Sequence, residues 1–233
     1  MRKTIFLVDA DDTVLDFHGA SSLALKAAFI ACGMIWKDAF ANEFKAFNDS
    51  LWAKLERKEI TRKELIVSRF PLFLAHLGLP AVGDEFNEHY LKFLSQNPIF
   101  VNGAENFLKK LQEMGRVFIV TNGTEWIQQS RFTISGLFSM CEQAFISDCI
   151  GFDKPAKEYT QFVISHIENF NKDKAIWIGD SLSADIKAAN EAGIESVWFN
   201  PSHKPLVQKA TPDYIAANFE EILNILQKSE QEL

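Results

Sequence analysis

Ile5-Phe6-Leu7-Val8-Asp9-Ala10-Asp11-Asp12-Thr13 is the stretch on which the reading of this chain turns. An uninterrupted apolar run meets acids and a threonine, the pattern of a strand buried on both faces that ends in a polar loop. Working outward, the same pattern returns. Val117-Phe118-Ile119-Val120 ends at Thr121-Asn122-Gly123, and Ala175-Ile176-Trp177-Ile178 ends at Gly179-Asp180. Ala144-Phe145-Ile146-Ser147, Ser196-Val197-Trp198-Phe199 and a short Tyr214-Ile215 read as further strands. Between them the apolar spacing changes to three and four residues, predicting helices over 104–114 with Gly115 as the stop, after Thr124, and over 157–169, 183–192 and 219–227. Strands alternating with helices predict an α/β protein, a Rossmann-like doubly wound parallel sheet covered on both faces.

Residues 21 to 95 interrupt this grammar. Leu23–Ile30, Phe40–Leu55 and Lys63–Leu77 carry helical spacing and no strand-like run, with breaks at Gly33, Gly78-Leu79-Pro80 and Gly83. Asn97-Pro98 and Asn102-Gly103 mark the return to alternation. The predicted organisation is a core of residues 1–15 and 97–233 with a helical insert, residues 16–96.

The 233 residues are 47% hydrophobic, enough for a sizeable core, and the net charge of -7 excludes unspecific attraction to nucleic acid or anionic membrane. No apolar run approaches the roughly 20 residues of a membrane span. Met1-Arg2-Lys3-Thr4 leads straight into a strand instead of a signal peptide, which points to the cytoplasm. Cys32, Cys141 and Cys149 are odd in number and lack metal-ligand spacing, so they read as reduced core residues.

In a doubly wound sheet ligands bind at the carboxyl ends of the strands, where Asp9, Asp11, Thr121, Asn122 and Asp180 all fall. Carboxylates gathered at one sheet edge repel each other unless a cation sits among them, and all-oxygen ligation points to Mg2+. Taken alone, two acids two residues apart are common in loops, a threonine at a strand end is usually a turn residue, and an isolated lysine such as Lys154 is usually a solvated charge. Asp185 by itself could merely favour a helix dipole.

Together, however, the Asp9 segment, the Val117–Thr121 strand, Lys154-Pro155, and Ile176-Trp177-Ile178-Gly179-Asp180 followed by Asp185 resemble the four motifs of the haloacid dehalogenase superfamily, in order and over essentially the whole chain. The resemblance implies a nucleophile at Asp9 that becomes an aspartyl phosphate. It implies an acid and base at Asp11, whose backbone carbonyl would join Asp9 and Asp180 at Mg2+. Thr121 and the backbone amide of Asn122 would bind the phosphoryl oxygens, Lys154 would neutralise their charge, and Asp185 would support Lys154 and the metal site. Dehalogenases of this fold lack an acid at the second position, so Asp11 implies a phosphatase.

The insert occupies the place of the helical cap that closes over the site in one branch of the superfamily. Leu51-Trp52 with Ile60-Thr61, Thr121-Asn122-Gly123 with Ile127-Gln128-Gln129 and Arg131, and Trp198-Phe199-Asn200 resemble the house-cleaning pyrimidine nucleotidases of bacteria. The implied substrate is a small phosphorylated metabolite, a nucleoside 5′-monophosphate; the implied assembly is a monomer or weak homodimer. A sugar-phosphate or phosphoglycolate phosphatase, a phosphomutase and a non-catalytic binding protein are the rival readings.

Overall fold

A computed structural model describes residues 2–80, 84–206 and 210–231; the break expected at Gly83 lies outside them. Six parallel strands form the sheet: β1 (Ile5–Val8), β2 (Arg116–Thr121), β3 (Gln143–Ile146), β4 (Ala175–Gly179), β5 (Glu195–Phe199) and β6 (Tyr214–Ala216), in the order 3-2-1-4-5-6. β1 is central, with Leu7 in register with both Phe118 of β2 and Trp177 of β4. The winding therefore reverses between β1 and β4, and a ligand crevice belongs at their carboxyl ends.

Side chains alternate across a strand, so each strand feeds two cores. Phe6 and Val8, with Val117, Ile119, Ile176 and Ile178, pack against Phe107, Leu108 and Leu111 on one face. Ile5 and Leu7, with Phe118, Val120 and Trp177, pack against Tyr159 and Val163 on the other. Gly115 lies so close to the backbone of Thr4 that a Cβ there would stand 2.3 Å from its carbonyl oxygen, so the turn into β2 admits only glycine.

The described residues fall into two compact units, divided at 16/17 and 98/99: the first holds those up to Asp16 and from Ile99 onward, the second those from Phe17 to Pro98. The second unit holds four helices, α1 (Phe17–Ala31), α2 (Ala39–Glu56), α3 (Arg62–His76) and α4 (Asp84–Gln96). Phe29, Phe40, Phe44, Phe70, Phe73, Phe86 and Tyr90 form its interior, and Ser21 bonds the Tyr90 hydroxyl at 2.8 Å. A capping box opens α3: Thr61 accepts from the Glu64 N–H, and Glu64 accepts from the Thr61 N–H.

In the first unit the helices are α5 (Ala104–Met114), α6 (Glu125–Ser135), α7 (Ser147–Ile150), α8 (Lys157–Ser165), α9 (Lys187–Ala192) and α10 (Phe219–Gln231). Several details differ from what the sequence predicts. Ser147 starts α7 and is not part of β3, and α8 stops at Ser165 instead of 169, where the His166 ring bonds the Phe162 carbonyl. The helix expected from 183 begins as a wide π turn over Leu182–Ile186 and becomes α-helical only at Lys187. The cysteines are unpaired, but they are not core residues: Cys149 is exposed, and Cys32 and Cys141 are half-buried.

Candidate active site

β1 delivers Asp9 to the crevice with little freedom. Its backbone N–H bonds the Ile178 carbonyl at 2.9 Å, extending the ladder one residue past the strand. The following loop curls back, with Val14 and Leu15 both bonding the Ala10 carbonyl, and this returns Thr13 to Asp9. One Asp9 oxygen accepts from Thr13 Oγ1 at 3.1 Å and the other from Lys154 Nζ at 2.6 Å.

The Lys154 ammonium is buried and uses its three donors, on Asp9, on Asp185 at 2.7 Å and on the Val120 carbonyl at 2.8 Å. Its backbone is fixed by the Asn122 side chain, whose Oδ1 accepts from the Lys154 N–H at 2.7 Å while its Nδ2 donates to the Lys154 carbonyl at 2.9 Å. The end of β2 thus holds the lysine in place.

Asp185 sits in the π turn, buried, and also accepts from Trp177 Nε1 at 3.3 Å and the Ser181 N–H at 3.2 Å. It can tuck beneath the end of β4 only because residue 179 is glycine: a Cβ there would stand 2.3 Å from the Asp185 carboxyl carbon. Asp180, next along, has its carbonyl tied to Trp198 Nε1 at 2.8 Å.

Asp9, Asp180 and Asp185 each offer an oxygen, and these atoms lie within 4.8 Å of one another. Three carboxylates against the Lys154 ammonium would, if all were ionised, leave two negative charges in a largely buried place. The electrostatics follow. Burial, only partly opposed by Lys154 and reinforced by Asp185 and Asp11, pushes the Asp9 carboxyl up to about 8. Asp180 is likewise raised well above the carboxylate range by burial and then by Asp9, Asp12 and Asp185. Burial alone would depress the Lys154 ammonium, but Asp185 and Asp9 outweigh it and hold it above the ordinary lysine value. A divalent cation would relieve both raised carboxyls, so the donor set fits a hard, oxygen-seeking ion.

Asp11 stands in a separate environment. Its carboxylate accepts from Arg131 Nη1 on one oxygen and from Gln128 Nε2 at 2.8 Å on the other. The Gln128 Nε2 also donates to Thr121 Oγ1 at 2.9 Å, and its Oε1 accepts from Arg131 at 2.9 Å. Thr121 accepts a second bond, from the Gly123 N–H at 3.0 Å, so its own proton is left to donate.

The structure therefore gathers Asp9, Lys154, Asp180 and Asp185 directly, joins Asn122 to them through the Lys154 backbone, and links Asp11 with Thr121 through Gln128. From sequence alone Gln128 and Arg131 are points of resemblance with no contact implied. Their signal was spacing: three residues apart on α6, immediately after Thr121-Asn122-Gly123, they share one helix face. Thr13, on Asp9, and Trp177, on Asp185, likewise have contacts that the sequence alone does not reveal.

With this geometry in hand, comparison with known proteins assigns the family. Residues 3–193 match the model of the haloacid dehalogenase-like hydrolases. The chain belongs to that family. It is 36% identical to the HAD-hydrolase YfnB of Bacillus subtilis over 97% of this chain and 96% of that protein. It is 34% identical to the pyrimidine 5′-nucleotidase PynA of Streptococcus pneumoniae over 98% and 97% of the two chains. It is 24% identical to the pyrimidine 5′-nucleotidase YjjG of Escherichia coli over 98% of this chain and 100% of that protein. The crystal structure of YfnB, bound to magnesium and revealing interdomain movement, superposes with a TM-score of 0.92, covering 97% of this chain and 99% of that one.

Proposed function

We propose that the chain is a Mg2+-dependent phosphatase of small phosphate monoesters, with nucleoside 5′-monophosphates as substrates. One observation carries the mechanism: Asp9 lies against Lys154 and beside Asp180 and Asp185, where a divalent cation would neutralise the acids, while Asp11, two residues on, stands outside that cluster. Asp9 is buried, hydrogen-bonded on both oxygens and raised to about 8 beside other acids. Asp11 is partly exposed and held by Arg131 and Gln128.

In this reading an Asp9 oxygen bonds to phosphorus as the bond from phosphorus to the ester oxygen breaks. Asp11 gives its proton to that oxygen, and the alcohol leaves. Water then attacks phosphorus, passing a proton to the Asp11 carboxylate as the bond to Asp9 breaks, which restores both aspartates and releases orthophosphate. Thr121 and the Asn122 N–H bind phosphoryl oxygens, and Lys154 offsets their charge. Asp9, Asp180 and the Asp11 carbonyl would hold Mg2+, with Asp185 supporting Lys154 beside them. Bound there, the ion would let an anionic nucleophile and an anionic phosphate approach each other.

Retention of an acid at position 11 favours phosphate over halide chemistry, because an alkoxide needs a proton to leave and a halide does not. The nucleotide substrate is supported by PynA and YjjG, both pyrimidine 5′-nucleotidases and both similar along nearly their whole lengths. The helical unit, residues 17–98, serves as the cap in this reading.

The test is phosphate release from pyrimidine and purine monophosphates, sugar phosphates and phosphoglycolate, with Mg2+ or EDTA, beside Asp9→Asn. Preference for pyrimidine monophosphates, lost in EDTA and in the variant, is expected. Strong turnover of a sugar phosphate would replace the substrate, and activity that survives in Asp9→Asn would sink the mechanism.

A further inference from the structure

Gln128 and Arg131 are more buried than any solvent-facing pair on a helix: Arg131 is 0% exposed and Gln128 1%. Both point at the carboxyl ends of β1 and β2. Arg131 Nη1 reaches Asp11 Oδ1 and Gln128 Oε1; the Gln128 amide reaches Asp11 Oδ2 and Thr121 Oγ1. Only one orientation of that amide satisfies the arrangement, with its oxygen toward the guanidinium and its NH2 toward two acceptors.

The surroundings are built for this contact. α6 starts at Glu125, directly after the Thr121-Asn122-Gly123 turn, so Gln128 and Arg131 are carried on its first two turns with Ile127 and Phe132 buried beside them. Gly123 makes the approach possible, since a Cβ there would stand 2.4 Å from the Gln128 side chain. Its backbone is not in the left-handed region, so what requires a glycine is the room for Gln128. Burying an arginine for fold stability alone is poor economy, because an apolar side chain of similar volume commonly does as well.

We infer that Gln128 and Arg131 are positioning residues that aim the Asp11 carboxyl at the ester oxygen and tie its placement to that of Thr121. The inference rests on the phosphatase reading above. Neither residue touches the reacting atoms. Their effect passes through Asp11, which moves the proton, and through Thr121, whose two accepted bonds leave its hydroxyl proton turned to a phosphoryl oxygen.

A positioning role for a proton donor has a signature that mere structural support lacks. It matters where the leaving oxygen needs a proton and matters little where it does not. The experiment measures kcat/KM, which reports transfer of the phosphoryl group to the enzyme and not its later hydrolysis, with saturating Mg2+. The substrates are p-nitrophenyl phosphate, whose phenolate leaves readily, and a nucleoside 5′-monophosphate or simple alkyl phosphate, whose alkoxide does not. Wild type is compared with Gln128→Leu, Arg131→Met, Arg131→Lys, Gly123→Ala and Asp11→Asn, each checked by thermal melting.

The expected loss for Gln128→Leu and Arg131→Met is about 10–100-fold on the alkyl ester and under about 5-fold on p-nitrophenyl phosphate, less than the roughly 100–10,000-fold that general acid catalysis itself contributes, as befits residues that only position the acid. Gly123→Ala is expected to follow the same selective pattern, and Arg131→Lys to recover part of the alkyl activity. Combining Arg131→Met with Asp11→Asn should add no further selective loss, because both act through one proton. Equal losses on the two substrates in a folded, active background would overturn the inference. A wild type without activity on either ester would instead overturn the phosphatase reading, and the inference with it.

Discussion

The first unit buries charge where the second buries rings. At the ends of β1, β2 and β4 lie Asp9, Lys154, Asp185 and Arg131, all largely withdrawn from water. In residues 17–98 the interior is Phe29, Phe44, Phe70, Phe73, Phe86 and Tyr90, and Arg69 is the single buried charged side chain among the described residues. Charge is costly to bury without partners, and the first unit supplies them in excess, with three carboxylates around one ammonium. That surplus is the mark of a place prepared for a ligand. The second unit supplies packing, for which aromatic pairs such as Phe44 over Phe70, at 5.4 Å between ring centres, are sufficient.

Removing the cation at the centre of the first unit should break this contrast most severely. Lys154→Met leaves Asp9 and Asp185 facing each other with nothing between. Activity should fall below detection, and stability at neutral pH should drop by about 3–5 kcal/mol, as when one partner of a buried ion pair is lost. The lysine's pKa is raised in the fold, so its contribution is fully present below the ordinary lysine value and the loss should be visible across the neutral range by denaturant unfolding.

A smaller effect of opposite sign is expected on removing a carboxylate. Asp9 and Asp180 both have raised pKa values, so ionising them costs folding free energy. Metal-free protein should therefore lose stability as pH rises from about 4, the unfolded value, through the 8 or so reached by Asp9. Asp180→Asn should flatten that slope and raise the metal-free melting temperature at pH 8 by a few degrees, about 1–2 kcal/mol, while weakening the shift that added Mg2+ produces. Melting scans across pH, with Mg2+ and with EDTA, check both parts.

The smallest change is expected from Arg69, the one buried cation among the described residues of the second unit. Arg69 rests against the rings of Phe70 and Tyr90 with a long 3.4 Å bond to Asn48, and burial lowers its pKa. Arg69→Met exchanges that cation–π contact for relief from desolvation, so the melting temperature should move by less than about 1 kcal/mol in equivalent terms. A large destabilisation would show that Arg69 does more than pack.

The same contrast governs what could be read in advance. Apolar runs ending in Asp9, Thr121 and Asp180 exposed three strands and the polar residues at their ends, because a doubly buried strand leaves an unbroken hydrophobic stretch in the sequence. The four helices of the insert were legible as a region, but nothing in their spacing says what the region recognises, since aromatic packing and substrate selection use the same residues. Lys154 and Asp185 lie 31 residues apart, and their contact depends on Gly179 giving up a side chain, which no periodicity reveals. Gln128 and Arg131 look like an ordinary polar helix face until the strand ends are placed beneath them. The π turn at Leu182–Ile186 is invisible for a similar reason: its sequence suits an α-helix, and the widening lets Asp185 meet both Lys154 and the Ser181 N–H.

The central claim is that Asp9 carries the phosphoryl group. Its most direct test is to mix enzyme, Mg2+ and a turned-over monophosphate, quench within milliseconds, reduce with borohydride and map the modified residue by mass spectrometry. The account predicts conversion of Asp9 to homoserine, dependent on both substrate and Mg2+ and absent in Asp9→Asn. Modification of a different side chain, or rapid phosphate release with Asp9 unmodified at every quench time, would contradict it.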